Sequence, residues 1–210
     1  MCKPFLGCLL AAAILFSAST VLSGQTVPDS HDLGSWVSVH MNKSWGKPYM
    51  ALRAEHRSNQ RLSNTECWFL LASGGYRLTP WLSSDLGYEF WNIGGAQHHR
   101  FVLTASETLR QGPLSVTLRE KLEYTLAPGG GTYQNLRTRL RAQYAIPDSA
   151  FRPYMMAEVF TWGAWKRSLY YVGTDIAIGE HSSLDLFYLY HLQQGGPYVH
   201  TIGVGYVINL

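Results

Sequence analysis

The chain has 210 residues, a formal charge of +3, 15% charged and 13% aromatic residues, and 20 glycines. This much hydrophobicity with so little charge excludes a disordered chain, and a heptad-patterned helical bundle would be far richer in Ala, Glu, Lys and Leu. Arg and Lys form no extended basic run, so nucleic acid is not an expected partner.

The N-terminus carries the first signal. Lys3 gives a positive start, residues 5–16 are an apolar run, and small residues follow through Ser17, Ala18, Ser19 and Ser23 to Gly24. This is the three-part plan of a secretory signal peptide, so residues 1–24 are expected to be removed, with cleavage after Ser23 or Gly24. No cysteine stands just after the apolar run, as a lipoprotein anchor would require. A spanning helix would need about 20 apolar residues. Of Cys2, Cys8 and Cys67, only Cys67 stays in the mature chain. That excludes an intrachain disulfide and makes the lone thiol an apolar filler.

The remainder, 25–210, reads as one domain of strands. In 82–90, Leu82, Leu86, Tyr88 and Phe90 share one face, and Ser83, Asp85, Gly87 and Glu89 the other. In 136–144, Leu136, Thr138, Leu140, Ala142 and Tyr144 oppose Arg137, Arg139, Arg141 and Gln143. In 183–191, Leu184, Leu186, Tyr188 and Tyr190 stand against Asp185 and His191, and the last ten residues set Ile202, Val204, Tyr206, Ile208 and Leu210 against Thr201, Gly203, Gly205 and Asn209. A period of two this regular marks strands with two unlike faces. Turn residues interrupt the pattern at 43–47, 79–80, 111–113, 146–153 and 179–180, alternating with 58–65, 92–97, 128–132, 162–166 and 193–197. The fold expected is all-β, an antiparallel up-and-down transmembrane β-barrel of about 10–12 strands.

Alternation alone does not say whether the apolar face looks inward, as in a lipocalin-like barrel, or outward to lipid. Three features point to lipid. Strands of about 9–11 residues suit a tilted crossing. Tyr88, Phe90, Tyr124, Tyr144, Tyr190 and Tyr206 sit toward the ends of the apolar faces, where interfacial girdles lie. The chain ends inside a strand, with Tyr206, Ile208 and Leu210 forming an insertion-signal pattern whose usual terminal Phe is replaced by Leu210. Outer-membrane lipid and the barrel-insertion machinery, reached through the C-terminal strand, are therefore the expected partners of a monomer in a Gram-negative outer membrane.

Several stretches carry a family likeness: Asp32-Leu33-Gly34-Ser35-Trp36, Leu52-Arg53-Ala54-Glu55-His56-Arg57, Asn135-Leu136-Arg137-Thr138-Arg139-Leu140, Pro153-Tyr154-Met155-Met156-Ala157-Glu158 and Ser183-Leu184-Asp185-Leu186-Phe187-Tyr188. Through them the mature chain resembles domain-of-unknown-function family 2490, uncharacterised outer-membrane barrels of Gram-negative bacteria. The resemblance implies a fold and a location, and brings no activity or catalytic residues with it.

Eleven strands can be named, whereas a barrel with both termini in the periplasm needs an even number. Either 26–34 contains a short extra strand, or 34–42 is not a full member of the barrel. Glu107 and Glu120 fall on the lipid-facing phase, so either a bulge re-aims them or the phase assigned there is wrong. The polar phase collects Arg53, Arg57, Arg100, Arg119, Lys121, Arg137, Arg139 and Arg141 in the lumen, with Glu55, Asp85, Glu89, Glu123, Glu158, Asp175 and Asp185. Eight bases against seven acids suggest cross-lumen ion pairs filling a narrow barrel rather than an ion-selective pore.

Other candidates are weaker. His98 and His99 are adjacent, so on a strand they point to opposite faces and do not chelate one ion together; beside Gly94 and Gly95 they read as surface residues. His181 with Ser182 and Ser183 is the one seed of a lipid-modifying hydrolase, without the glycine-rich or Asn context such a site needs. Gly129-Gly130-Gly131 precedes no helix and is a loop, and Trp162 and Trp165 read as interface anchors. No pattern calls for a cofactor, a metal or a catalytic residue. The expected role is structural, in a largely filled barrel, with a lipid hydrolase or a small diffusion channel as alternatives.

Overall fold

The structure, a computed structural model, describes residues 31–162, 164–193 and 198–210. The expected signal segment 1–24, the residues 26–30 of the suggested extra strand and most of the 193–197 turn lie outside them. Among the described residues eleven strands follow one another: β1 (His31–Ser44), β2 (Pro48–Asn59), β3 (Asn64–Arg77), β4 (Leu82–Ile93), β5 (Ala96–Gln111), β6 (Leu114–Leu126), β7 (Thr132–Tyr144), β8 (Phe151–Trp162), β9 (Ala164–Ala177), β10 (Ser182–Gln193) and β11 (Tyr198–Asn209). Each pairs with its sequence neighbour, and β1 pairs with β11 to close the barrel.

The parity puzzle resolves in the closing pair. Alternating strands in an odd number leave the first and last running the same way, so closure must be parallel. It is: β1 and β11 stay in register from His31↔Tyr198 to Asn42↔Asn209. The sheet is therefore not wholly antiparallel, and β1 begins at the rim opposite the one where β11 ends. At that second rim the Leu210 N–H donates to the Asn42 carbonyl at 2.8 Å.

Segment 34–42 is a full barrel strand, held from its start. Gln60, Arg61 and Leu62 all have left-handed φ, of 51°, 54° and 69°, in the tight β2–β3 turn. The N–H groups of Gln60 and Arg61 that this conformation turns outward donate to the Asp32 carboxylate at 2.8 and 3.0 Å. Successive N–H groups forming an anion-binding concavity offset the backbone strain. The Ser35 and Ser58 hydroxyls, 2.8 Å apart, extend the same tie.

Strands run to 12–16 residues rather than 9–11. The ladders continue into stretches that read as breaks, because several turns need only a few residues: β4 ends at Ile93 and β5 restarts at Ala96. Trp162 and Trp165 likewise belong to β8 and β9.

The wall is inverted relative to a water-soluble domain. Val37, Val39, Leu70, Leu86, Phe101, Met155, Val172 and Ile202 face outward and exposed, while Glu55, Glu89, Glu123 and Glu158 are buried within the ring. Glu120 keeps to the outer wall: β6 pairs with β5 and β7 in unbroken register, and the carboxylate accepts a 2.8 Å hydrogen bond from Thr138 Oγ1. Glu107, opposite Leu118, is in the same phase. No bulge re-aims either one, because the two register shifts lie elsewhere, at Arg57/Ser58 and Phe160/Thr161.

Glycines on the inner face make room for rings. At Gly203 a Cβ would overlap the Phe187 ring, and at Gly173 it would stand 2.6 Å from the Leu186 carbonyl oxygen and 2.8 Å from Tyr154 Cζ. Gly173→Ala is thus expected to destabilise the barrel by about 1–3 kcal/mol, as an overpacked core does. Denaturant unfolding in detergent checks this, and an unchanged midpoint would contradict the packing described.

Candidate functional site

Four carboxylates define the lumen. Glu158, on β8, accepts from Arg139 Nε at 2.9 Å, Arg137 Nη2 at 2.8 Å and Arg119 Nη2 at 3.1 Å, and its side chain is 0% exposed. Glu123 meets Arg137 at 2.9 Å, Lys121 at 3.5 Å and Arg100 at 3.6 Å. Glu89 takes Arg100 at 3.1 Å, Lys121 and the indole N–H of Trp91 at 2.7 Å. Glu55 takes Arg57 at 2.6 Å and Arg53. Removing a carboxylate from water costs several kcal/mol, which only several charge-assisted donors offset. Two to three cations per acid supply them.

The remaining acids behave differently. Asp175 pairs with Arg141 at 2.7 Å. Asp85 and Asp185 instead accept tyrosine hydroxyls, from Tyr49 at 3.2 Å and Tyr154 at 2.7 Å, and have no ion pair among the described residues. The structure adds one cation to the group read from sequence. Arg167 on β9 faces inward, its guanidinium 3.9 Å from the Phe160 ring centre. Its even spacing from Asp175 carries the signal; its place next to the apparent 162–166 break hid it.

Aromatic side chains complete the ring, and the polar phase alone did not reveal them. Trp36, Tyr154, Phe160, Tyr171, Leu169 and Leu189 form a buried inner cluster, and Cys67 packs with Phe69 and Trp91. Phe69 and Trp91 are stacked at 4.1 Å. Arg57 stands over this group, its guanidinium 3.9 Å from the Trp36 ring centre and 5.1 Å from that of Trp91. Arg137 lies 4.5 Å over Phe160 and Arg100 4.6 Å over Trp91. Planar guanidinium groups suit both neighbours, stacking on rings while their edges bond carboxylates.

These contacts form a waist. One cavity of about 380 Å³ lies on the side of the rim where β11 ends, and another of about 200 Å³ on the other side. Trp36, Arg57, Trp91 and Arg137 line both.

The other candidates do not assemble. His99 faces outward, with Tyr88 Oη 2.6 Å from its Nδ1. His98 is not on the outer surface: it pairs with inward-facing Trp91, and its Nδ1 is buried without a partner among the described residues. No hydrogen bond joins His181 to Ser183 among the described residues, and the His181 carbonyl holds Asn209 N–H at 2.7 Å. Among the described residues no group of three His, Cys, Asp or Glu is placed to hold a metal ion.

Glu158→Gln removes the one carboxylate shared by three guanidinium groups and is expected to cost about 3–5 kcal/mol. Arg139→Ala should cost distinctly less, since Glu158 keeps Arg137 and Arg119. Unfolding midpoints of the two variants check the order, and equal losses would contradict it.

Among solved structures, the NanC porin in a rhombohedral crystal form is similar at 12% identity and a TM-score of 0.48, over 77% of this chain and 89% of that one. Comparison with curated proteins finds no match. The model of the family described as a protein of unknown function, DUF2490, matches residues 33–199, which is most of the sequence from the first strand to the last. The chain belongs to the DUF2490 family.

Proposed function

We propose that this protein is a monomeric barrel of the Gram-negative outer membrane, exported by its N-terminal signal segment, whose lumen is held shut at mid-height by the guanidinium–carboxylate–aromatic waist. The observation that carries the reading is the inverted wall: exposed apolar side chains outside, and four carboxylates buried within. In water such a wall leaves a large apolar surface exposed, whereas lipid is its matching solvent. Exposed Tyr88, Tyr124, Tyr144 and Tyr206 suit the two interfaces, and the β11 strand is the segment read by the insertion machinery.

The role is then structural or regulated rather than that of an open pore. A second reading, a narrow conduit, is favoured by one observation: the two cavities meet at the same four residues, so moving Arg57 and Arg137 would join them.

Folded protein is expected to migrate faster than boiled protein in detergent gels, and recovery from the soluble periplasm would overturn the membrane reading. In planar bilayers the wild type should leave conductance at background, while Arg57→Ala, which empties the space between Trp36 and Trp91, should produce discrete openings. A steady current from the wild type would favour the conduit instead. An epitope inserted after Gly130 should be labelled on intact cells; labelling only after permeabilisation would invert the orientation.

A further inference from the structure

The cavity beside the waist has an electrostatic imbalance that the ion pairs leave standing. Seven cationic side chains line it against three acidic ones. Two of the acids that serve those cations sit behind them: Glu55 and Glu158 side chains are 1% and 0% exposed, while Arg53, Arg119 and Arg139 keep 26%, 24% and 19% of theirs open. Cations therefore outnumber acids on the cavity surface, and part of their counter-charge is buried beneath.

The crowding is greatest on β6 and β7. Arg119 stands directly opposite Arg139 in the ladder, and Lys121 opposite Arg137. Like charges in directly opposed positions repel. Glu158 alone bonds both Arg119 and Arg139, and it also serves Arg137. Arg53, on β2, lines the same cavity. Each of Arg53, Arg119, Arg139 and Arg141 makes one hydrogen bond to a carboxylate among the described residues. A guanidinium carries five donors. The Nε–H groups of Arg53, Arg119 and Arg141 are buried without an acceptor among the described residues.

We propose that this cavity is a binding site for a small soluble oxyanion, a phosphate or carboxylate group, clamped between Arg119 and Arg139 with Arg53 and Arg141 beside them. A planar, weakly hydrated fork presenting paired N–H groups is the side chain best matched to such an anion. A volume of about 380 Å³ falls within the range of ordinary ligand pockets, and low-dielectric walls strengthen the field inside. Asp85 and Asp185 also face the cavity, each accepting a tyrosine hydroxyl, and neither forms an ion pair with the arginines among the described residues. The site needs only the lumen, so it stands independently of whether the waist conducts.

The experiment uses the full chain folded in detergent micelles, with inorganic phosphate as the probe and sodium chloride of equal ionic strength as the reference. Phosphate should raise the thermal midpoint of the wild type saturably and more than chloride does. Arg119→Gln should weaken phosphate binding at least tenfold by calorimetry. In phosphate-free buffer the same variant should melt no lower than the wild type, because it relieves repulsion while Glu158 keeps two partners. A merely structural arginine would instead lower the midpoint and leave phosphate binding unaltered. Arg119→Lys, which keeps the charge and loses the fork, should bind with intermediate affinity and serves if the glutamine variant does not fold. Arg61→Gln, in the β2–β3 turn, should bind as the wild type does. Absence of a phosphate effect beyond chloride, or equal binding by Arg119→Gln, overturns the proposal; gel migration and bilayer conductance of the same preparation report separately on the membrane reading.

Discussion

The lumen is organised by the cost of burying a carboxylate. Glu55, Glu89, Glu123 and Glu158 are each at most 4% exposed, and an isolated charge at such a depth would not be retained. Each must therefore gather cations, and a strand offers them only at alternate positions on the inner face. The run Arg137, Arg139, Arg141 on β7 is one consequence: its three charges point the same way and need acids from β6, β8 and β9. Pairing across strands, in turn, fixes neighbouring registers, since a slip of one residue would send these charges to the outer wall.

Closure is the second constraint, and it is tied to the first. A ring of buried charge needs a wall without edges, and eleven strands give one only by a parallel seam between β1 and β11. That seam has no charged pair along its inner face. Gly203 and Gly205 on β11 instead lie beside Trp36 and Ser38 on β1, leaving space that Phe187 and its aromatic neighbours fill. The rest of the interior mixes charge and ring: carboxylates come from β2, β4, β6, β8, β9 and β10, and the aromatic packing from β1, β3, β4, β8, β9 and β10. Arg57, Arg100 and Arg137 join the two kinds of neighbour because a guanidinium bonds at its edge and stacks at its face.

The same economy leaves the cavity side cationic. Pairs satisfy the buried acids first, and what the acids do not cover is arginine. Where Arg119 and Arg139 oppose one another, two like charges share the single Glu158 carboxylate and concentrate positive charge on that side.

By itself the sequence determined the strands, their two unlike faces and the order in which they follow. These depend on a period of two that every strand carries locally, so Arg137, Arg139 and Arg141 could be assigned to one side without knowing their partners. The count of eleven was legible as well, but the meaning of its odd parity was not. A closing pair between residues 31–42 and 198–209 is a contact across the whole chain, and nothing in either segment alone announces a parallel seam. Turn lengths were read too generously because Gly, Asn and Ser favour reversal without fixing where the ladder stops, as at Asn92 and Ile93. Tertiary structure alone decided which acid met which base, that Asp85 and Asp185 went to tyrosines, and that Trp36, Trp91 and Phe160 entered the lumen beside the charges. Those choices depend on the distances between strands far apart in sequence, which only the closed wall sets.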